Sequence, residues 1–288
     1  MSEYQHYEWR TIDRRLTAAE RAAVNELSSH IEVSSSDAWV DYEWGDFKHD
    51  PLEVLARYFD AFLYYANWGA QQLAFRFPQN LLDAERLQPY LWAECAELAR
   101  VGDDYILSIA APDQDLPDWE ELACDLEELL SLRDDILQGD LRLLYLVWLL
   151  GAGVYGGLGE MDTEEESDLE PPLPPGLDQL SPALTAFINF MGIDPFLVQA
   201  AAQDNASPAM PEQPDLAHAL DLLPSAERDD FLRRLLQGEA NLQLELRRRL
   251  REVMQPAAAP APLAAPRTFA SLATAADELR RSTGRRRR

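Results

Sequence analysis

The chain is poor in several residue types that mark particular chemistries. Among 288 residues there is one lysine, Lys48, so every other fixed positive charge is arginine. Its two cysteines, Cys95 and Cys124, stand in no CxxC or Cys/His spacing. A structural zinc site takes four ligands and a disulfide framework takes several pairs, so two buried, reduced thiols are expected instead. The longest apolar run, Leu143–Leu150, has eight residues. A membrane-spanning helix needs about 20, so this run reads as core and no membrane partner is expected. The opening MSEYQHYEWR lacks the basic-then-apolar order of a signal peptide, which points to a cytoplasmic protein. No G-x-S-x-G elbow, Walker A loop, HExxH or EF-hand pattern occurs.

Basic charge is missing from a long central stretch. Residues 101–227 hold 27 Asp and Glu against only Arg133 and Arg142, whereas residues 228–288 hold 14 Arg against 7 acids. The net charge is −26. Such segregation bears on partners and solubility rather than on fold.

What the chain has is apolar material: 47% hydrophobic, with seven Trp, ten Tyr and ten Phe. That is enough for a real core and, at this length, about two domains. Alternation over Tyr4–Ile12 predicts a strand with aromatic faces. Thr17 and Glu20 have capping-box spacing and start a helix reaching about Ser29. Ile31–Trp44 reads as strand, broken at Ser34–Ser36. Asp50-Pro51-Leu52-Glu53 is the strongest helix start, with Asp at the N-cap and Pro at the first position. Leu52, Leu55, Ala56, Phe59, Phe62, Leu63 and Ala66 then keep 3-4 spacing, predicting one helix as far as Asn67-Trp68-Gly69. Leu73, Phe75 and Phe77 predict a strand ended by Pro78, and Tyr105–Ala110 another. Leu91–Val101 fits either a hairpin partner or a helix.

Beyond that, the patterns are helical: Trp119–Leu137, Leu141–Leu150, Ser181–Met191, Pro195–Gln203, Asp215–Leu223, Ser225–Met254 broken at Gly238, and Thr268–Arg281. The expected fold class is α+β, with a small N-terminal sheet-and-helix layer followed by a mostly α-helical region. The expected divisions are an α+β domain over 1–111 and a helical domain over 117–203 with an acidic loop at 151–178. A helical unit over 215–254 and an Ala/Pro linker with basic tail over 255–288 follow.

Four features carry possible chemistry. Gly151-Ala152-Gly153-Val154-Tyr155-Gly156 matches GxGxxG, but a dinucleotide site needs it between a strand and a helix N-terminus. Here the preceding run is helical, and Glu160, Asp162 and Glu164–Glu166 beyond it would repel phosphate, so no cofactor is expected. Asp41-Tyr42-Glu43-Trp44-Gly45-Asp46-Phe47-Lys48-His49-Asp50 is the densest polar-aromatic cluster. It reads first as a turn and helix cap, with Asp46 and His49 the candidate catalytic residues of an alternative, enzymatic reading. His6, His30 and His218 fall in no such arrangement, and Asp134-Asp135 beside Arg133 reads as a solvated helix face. The acids Asp118, Glu120, Glu121, Asp125, Glu127, Glu128, Asp134 and Asp135 allow a third reading, mimicry of nucleic acid. Finally, Arg233, Arg234, Arg247, Arg248, Arg249 and Arg251 are candidate partner-binding residues. Little aromatic residue is interleaved with them, so acid–base pairing is favoured over phosphate contact. Nucleic acid is open only through this Arg-rich C-terminus.

The strings YEWRTIDRRLT, WGDFKHDP, RYFDAFLYYANWG and RDDILQGDLRLLYLVWLLG resemble a family of uncharacterised bacterial proteins of similar length. The likeness covers about residues 4–200. The family has no assigned activity, so the resemblance implies a bacterial, intracellular protein and transfers no functional residue. Together these features favour a non-enzymatic protein-interaction or regulatory module, acting with a partner protein within a multi-subunit complex.

Overall fold

The alternating segment near the N-terminus becomes β1 (Gln5–Arg10), an inner strand of a seven-stranded antiparallel sheet. Its companions are β2 (Glu32–Val33), β3 (Asp37–Tyr42), β4 (Ala61–Ala66), β5 (Gln71–Pro78), β6 (Ala96–Val101) and β7 (Asp104–Ala111). The spatial order is β2-β3-β1-β4-β5-β7-β6. The structure is a computed structural model, and it describes residues 3–92, 95–111, 124–155, 169–203, 216–239, 241–254 and 267–286. The expectations for Trp119–Ala123, for the acids at Asp118–Glu121 and Glu160–Asp168, and for the linkers at 204–214 and 255–266 lie outside the described residues. The segment left open between hairpin and helix is a hairpin: β6 pairs with β7 from Ala96↔Ile109 to Val101↔Asp104.

Both sheet faces are covered. On one, Tyr7, Trp9, Ala38, Val40, Phe62, Ala74 and Ile106 pack against α1 (Ala18–Asn25) and α2 (Pro51–Tyr58). The Thr17–Glu20 capping box forms in both directions, and Asp50 accepts from the Leu52 and Glu53 amides as its spacing predicts. On the other face, Leu63, Leu73, Phe75, Leu107 and Ile109 meet a helical layer.

The long helix predicted through Ala66 is instead a helix and a strand. α2 ends at Tyr58, and Phe59 is extended at φ −127°, ψ 175°. Asp60 then anchors the chain to the sheet: its amide donates to the Arg10 carbonyl and its carbonyl accepts from the Arg76 amide. Its buried carboxylate accepts from the Ile12 and Asp13 amides and from Arg76. Ala61, Phe62 and Leu63 are all fully buried, because β4 is covered on both faces. A strand apolar on both sides loses its period of two, and over six residues it imitates a helical stripe.

The helical layer comprises α3 (Ala84–Leu87), α4 (Leu126–Leu129), α5 (Ser131–Leu137), α6 (Arg142–Tyr155), α7 (Pro182–Phe190) and α8 (Pro195–Gln203). α5 ends where Gly139 takes φ +81°, a conformation glycine adopts without steric cost, and the Asp140 amide bonds back to the Asp135 carbonyl. All of Leu143–Leu150 is buried, as an all-round apolar helix requires. Residues 151–155 continue this helix, although the sequence predicted a loop from 151 onward. A β-carbon on Gly151 would lie 2.5 Å from Trp92 Cβ and 2.8 Å from Cys95 Sγ. The first glycine of the GxGxxG string therefore serves helix packing.

Arg133 is not on a solvated face. It is fully buried, forks onto Asp13 at 3.0 and 2.6 Å, donates to the Arg76 carbonyl at 2.7 Å, and lies over Phe77. Arg142, also buried, grips Asp140 and the carbonyls of Gly176 and Gln179.

Three helices, α9 (Leu216–Leu222), α10 (Ser225–Leu236) and α11 (Leu242–Met254), follow. The last helix, α12 (Phe269–Arg286), returns to pack on α8 and α6, burying Leu272 and Ala276 and setting Phe269 against Trp148. Arg267 secures its entry by gripping Glu170, which also accepts from the buried Tyr145 hydroxyl. No single helix among the described residues is long and apolar enough to cross a membrane.

Candidate interaction site

The α9–α11 unit has a small core of its own. Ala219, Leu223 and Leu250 are buried there, with Leu246, Val253 and Met254 against them. α10 contributes no buried residue. Leu232, Leu235 and Leu236 are 60%, 64% and 89% exposed, at positions i, i+3 and i+4, so they share one helix face. Leu220 and Leu222 of α9 are exposed as well. Single exposed leucines are ordinary, but several on one helix that buries nothing form a patch of the kind that marks a binding surface.

The six candidate arginines all lie in this unit, and each has an intramolecular partner. Arg233 meets Asp230 at 3.3 Å. Arg234 forks onto Glu239, reaches Glu245, and lies over Phe231. Arg247 approaches Asp134 of α5 at 3.9 Å. Arg248 pairs with Glu252 at 3.1 Å and donates to the Asn80 carbonyl at 2.8 Å. Arg249 bonds Glu227 at 2.8 Å and Glu252 at 3.3 Å. Arg251 donates to the Leu137 carbonyl, and burial together with Arg247 lowers its pKa. Hydrogen bonds to Glu239 and Glu245 raise the Arg234 pKa, while Arg234 and Arg249 lower those of Glu239 and Glu227. A groove of about 630 Å³ runs between the Asn80–Leu81 turn and α10–α11, lined by both signs of charge. The basic cluster is thus largely compensated within the chain.

The Asp41–Asp50 cluster is split by the fold. Asp50 caps α2, Asp46 accepts from Gln5 Nε2 at 2.9 Å, and His49 stacks edge-on to Phe47. Asp46 and His49 thus make separate contacts, in an exposed loop. Asp41 instead joins His6, a residue that no local pattern links to it: His6 Nδ1 is 2.7 Å from Asp41, and Tyr4 donates to the same oxygen at 3.0 Å. The signal lay in the register, since β1 and β3 pair antiparallel with His6 opposite Asp41.

A polar row continues along that side of β1. His6 lies 3.8 Å from Glu8, and Glu8 accepts from Arg10 at 2.9 Å. Arg10 approaches Asp37, Asp125 and Glu127 at 3.8–3.9 Å. Burial would lower the His6 pKa, but Glu8 and Asp41 more than offset it and the net shift is upward. Burial would raise that of Glu8, but His6 and Arg10 hold it down. The row is therefore stabilising at mildly acidic pH: the His6 contribution is lost as pH rises through its raised pKa, the Glu8 contribution as pH falls through its lowered one. Burial and the carboxylates of Glu128 and Asp125 push the Cys124 thiol up to about 12, which disfavours the thiolate. Among the described residues no group of three or more His, Cys, Asp or Glu is placed to hold a metal ion.

The described acids of the mimicry reading are partly used up. Asp125 and Glu127 face Arg10, Asp134 faces Arg247, and burial with Asp140 raises Asp135 to about 6. No family model, curated protein or solved structure matches the chain.

Proposed function

We propose that this protein is a non-enzymatic interaction module, which lays the leucine face of α10 into an apolar groove of a partner protein. The observation that carries this reading is the exposure of Leu232, Leu235 and Leu236 on a helix that buries none of its own residues. An amphipathic helix with anchors at i, i+3 and i+4 is a recurrent way of docking into a groove. The arginines around it, already paired with Asp230, Glu239 and Glu245, form a charge-balanced rim that sets orientation rather than attracting phosphate. Two free cysteines suit a reducing, cytoplasmic setting.

The test compares the wild type with a Leu232→Ser, Leu235→Ser, Leu236→Ser variant in affinity purification from cells that express the protein natively. The variant should melt like the wild type and lose a protein that the wild type retains in stoichiometric amount. Identical sets of retained proteins, or none with either form, would end this reading.

A further inference from the structure

A second surface lies at the far end of the sheet, remote in sequence from α10. β3 and β4 both pair antiparallel with β1, Tyr42 and Ala66 each standing opposite Gln5. The loops that leave these two strands therefore emerge on either side of the start of β1, about 10 Å apart. Each carries an exposed tryptophan two residues beyond its strand: Trp44, 71% exposed, and Trp68, 41% exposed. Among the described residues these are the two exposed tryptophans.

Both loops are tied to the start of β1. Gln5 is 2% exposed, accepts from the Tyr7 and Tyr64 hydroxyls, and donates to the Gly45 carbonyl and the Asp46 carboxylate. All four of its ordinary hydrogen bonds are made, and two hold the Trp44 loop. Tyr4 and Asn67 exchange two bonds, Tyr4 N–H to Asn67 Oδ1 and Asn67 N–H to the Tyr4 carbonyl, which hold the Trp68 turn. The charged residues in and next to these two loops are mostly acidic: Glu3, Glu43 and Asp46 are exposed and Asp41 is half-buried, against Lys48.

We propose that this end of the sheet binds arginine side chains on an extended segment of a partner protein, with the guanidinium planes over Trp44 and Trp68. Indole is the best cation–π acceptor, and arginine, being planar and weakly hydrated, stacks on it better than lysine does. The same rings would stack nucleobases, but the surrounding carboxylates repel the phosphates that accompany them.

The probe is a fluorescein-labelled dodecapeptide of alternating Arg and Gly, titrated by anisotropy into the full-length protein, with the Lys/Gly peptide of equal charge as comparator. The Arg peptide should bind at least about fivefold more tightly than the Lys peptide. Trp44→Ala and Trp68→Ala should each weaken it by about three- to tenfold. Glu43→Gln, at an exposed position, should weaken it less and confirm the site in a variant that leaves both rings in place. The Leu232/Leu235/Leu236 serine variant should bind the peptide normally, which separates this site from α10. Equal affinity for the two peptides, indifference to both tryptophan substitutions, or no binding of the Arg peptide would overturn the proposal.

Discussion

In the body of the molecule Arg133 is sealed from water, forked onto Asp13 and seated over Phe77, while Leu143–Leu150 are buried without exception. In α10–α11 the same residue types are turned outward. Arg234 forks onto Glu239 and reaches Glu245 at the surface, and Leu232, Leu235 and Leu236 face solvent. Burial makes a paired arginine structurally indispensable, because losing it strands charges in low dielectric; at the surface the same pair contributes little. For leucine the logic is reversed. A buried leucine explains itself through the hydrophobic effect, whereas a row of exposed ones gains that energy only when something covers it. The buried layer thus accounts for its own leucines, and the face of α10 is the part of the proposed module that a partner would cover.

Substitutions can break this contrast. The largest effect is expected for Arg133→Ala, which strands Asp13 and leaves the buried Asp60 with Arg76 alone as its cationic support. Asp60 is held below its ordinary pKa, against the opposing effect of burial, by Arg76 and Arg133 together with the Ile12 and Asp13 amides. A loss of about 3–5 kcal/mol in urea unfolding is predicted. Arg234 pairs with more carboxylates than Arg133 does, yet at the surface, and Arg234→Ala should leave the urea midpoint unchanged.

Gly151→Ala drives a methyl group into Trp92 and Cys95 and should cost about 1–3 kcal/mol in the same assay.

Asp135→Asn should stabilise the protein by about 1 kcal/mol at pH 7, after allowance for solvent screening. The sign follows from the raised pKa of about 6. The folded state holds the proton more tightly than the unfolded chain, so ionised Asp135 costs stability at neutral pH. The gain should vanish as pH falls through the window from 6 to 4, as read by thermal melts across that range. A similarly small effect on stability, within about 0.5 kcal/mol, is expected for serine at Leu232, Leu235 and Leu236.

Much of the fold was legible. The capping box at Thr17, the Asp50-Pro51 start and the alternation at Leu73–Phe77 are local signals, and the structure keeps them. β4 was not legible, because a strand buried on both faces carries no alternation to read. Arg133 was misplaced because its partner Asp13 is 120 residues away, beyond the reach of any local pattern. The six arginines are visible in the composition, but the pairing of Arg249 with Glu227 and of Arg234 with Glu245 depends on how α10 and α11 fold back on each other. The leucine face was visible only as amphipathic spacing. Its exposure depends on which face the fold leaves uncovered, and spacing alone does not say. The tryptophan pair needed the β3-β1-β4 register, which brings residues 44 and 68 to one end of the sheet.

The claim that α10 is a docking element can be read directly by hydroxyl-radical footprinting, comparing the purified protein with the same protein in its native cells. Leu232, Leu235 and Leu236 should be oxidised readily when purified and strongly protected in the cell, while the exposed Val101 on the sheet edge is labelled alike in both. Equal labelling of the three leucines in the two settings would contradict the account.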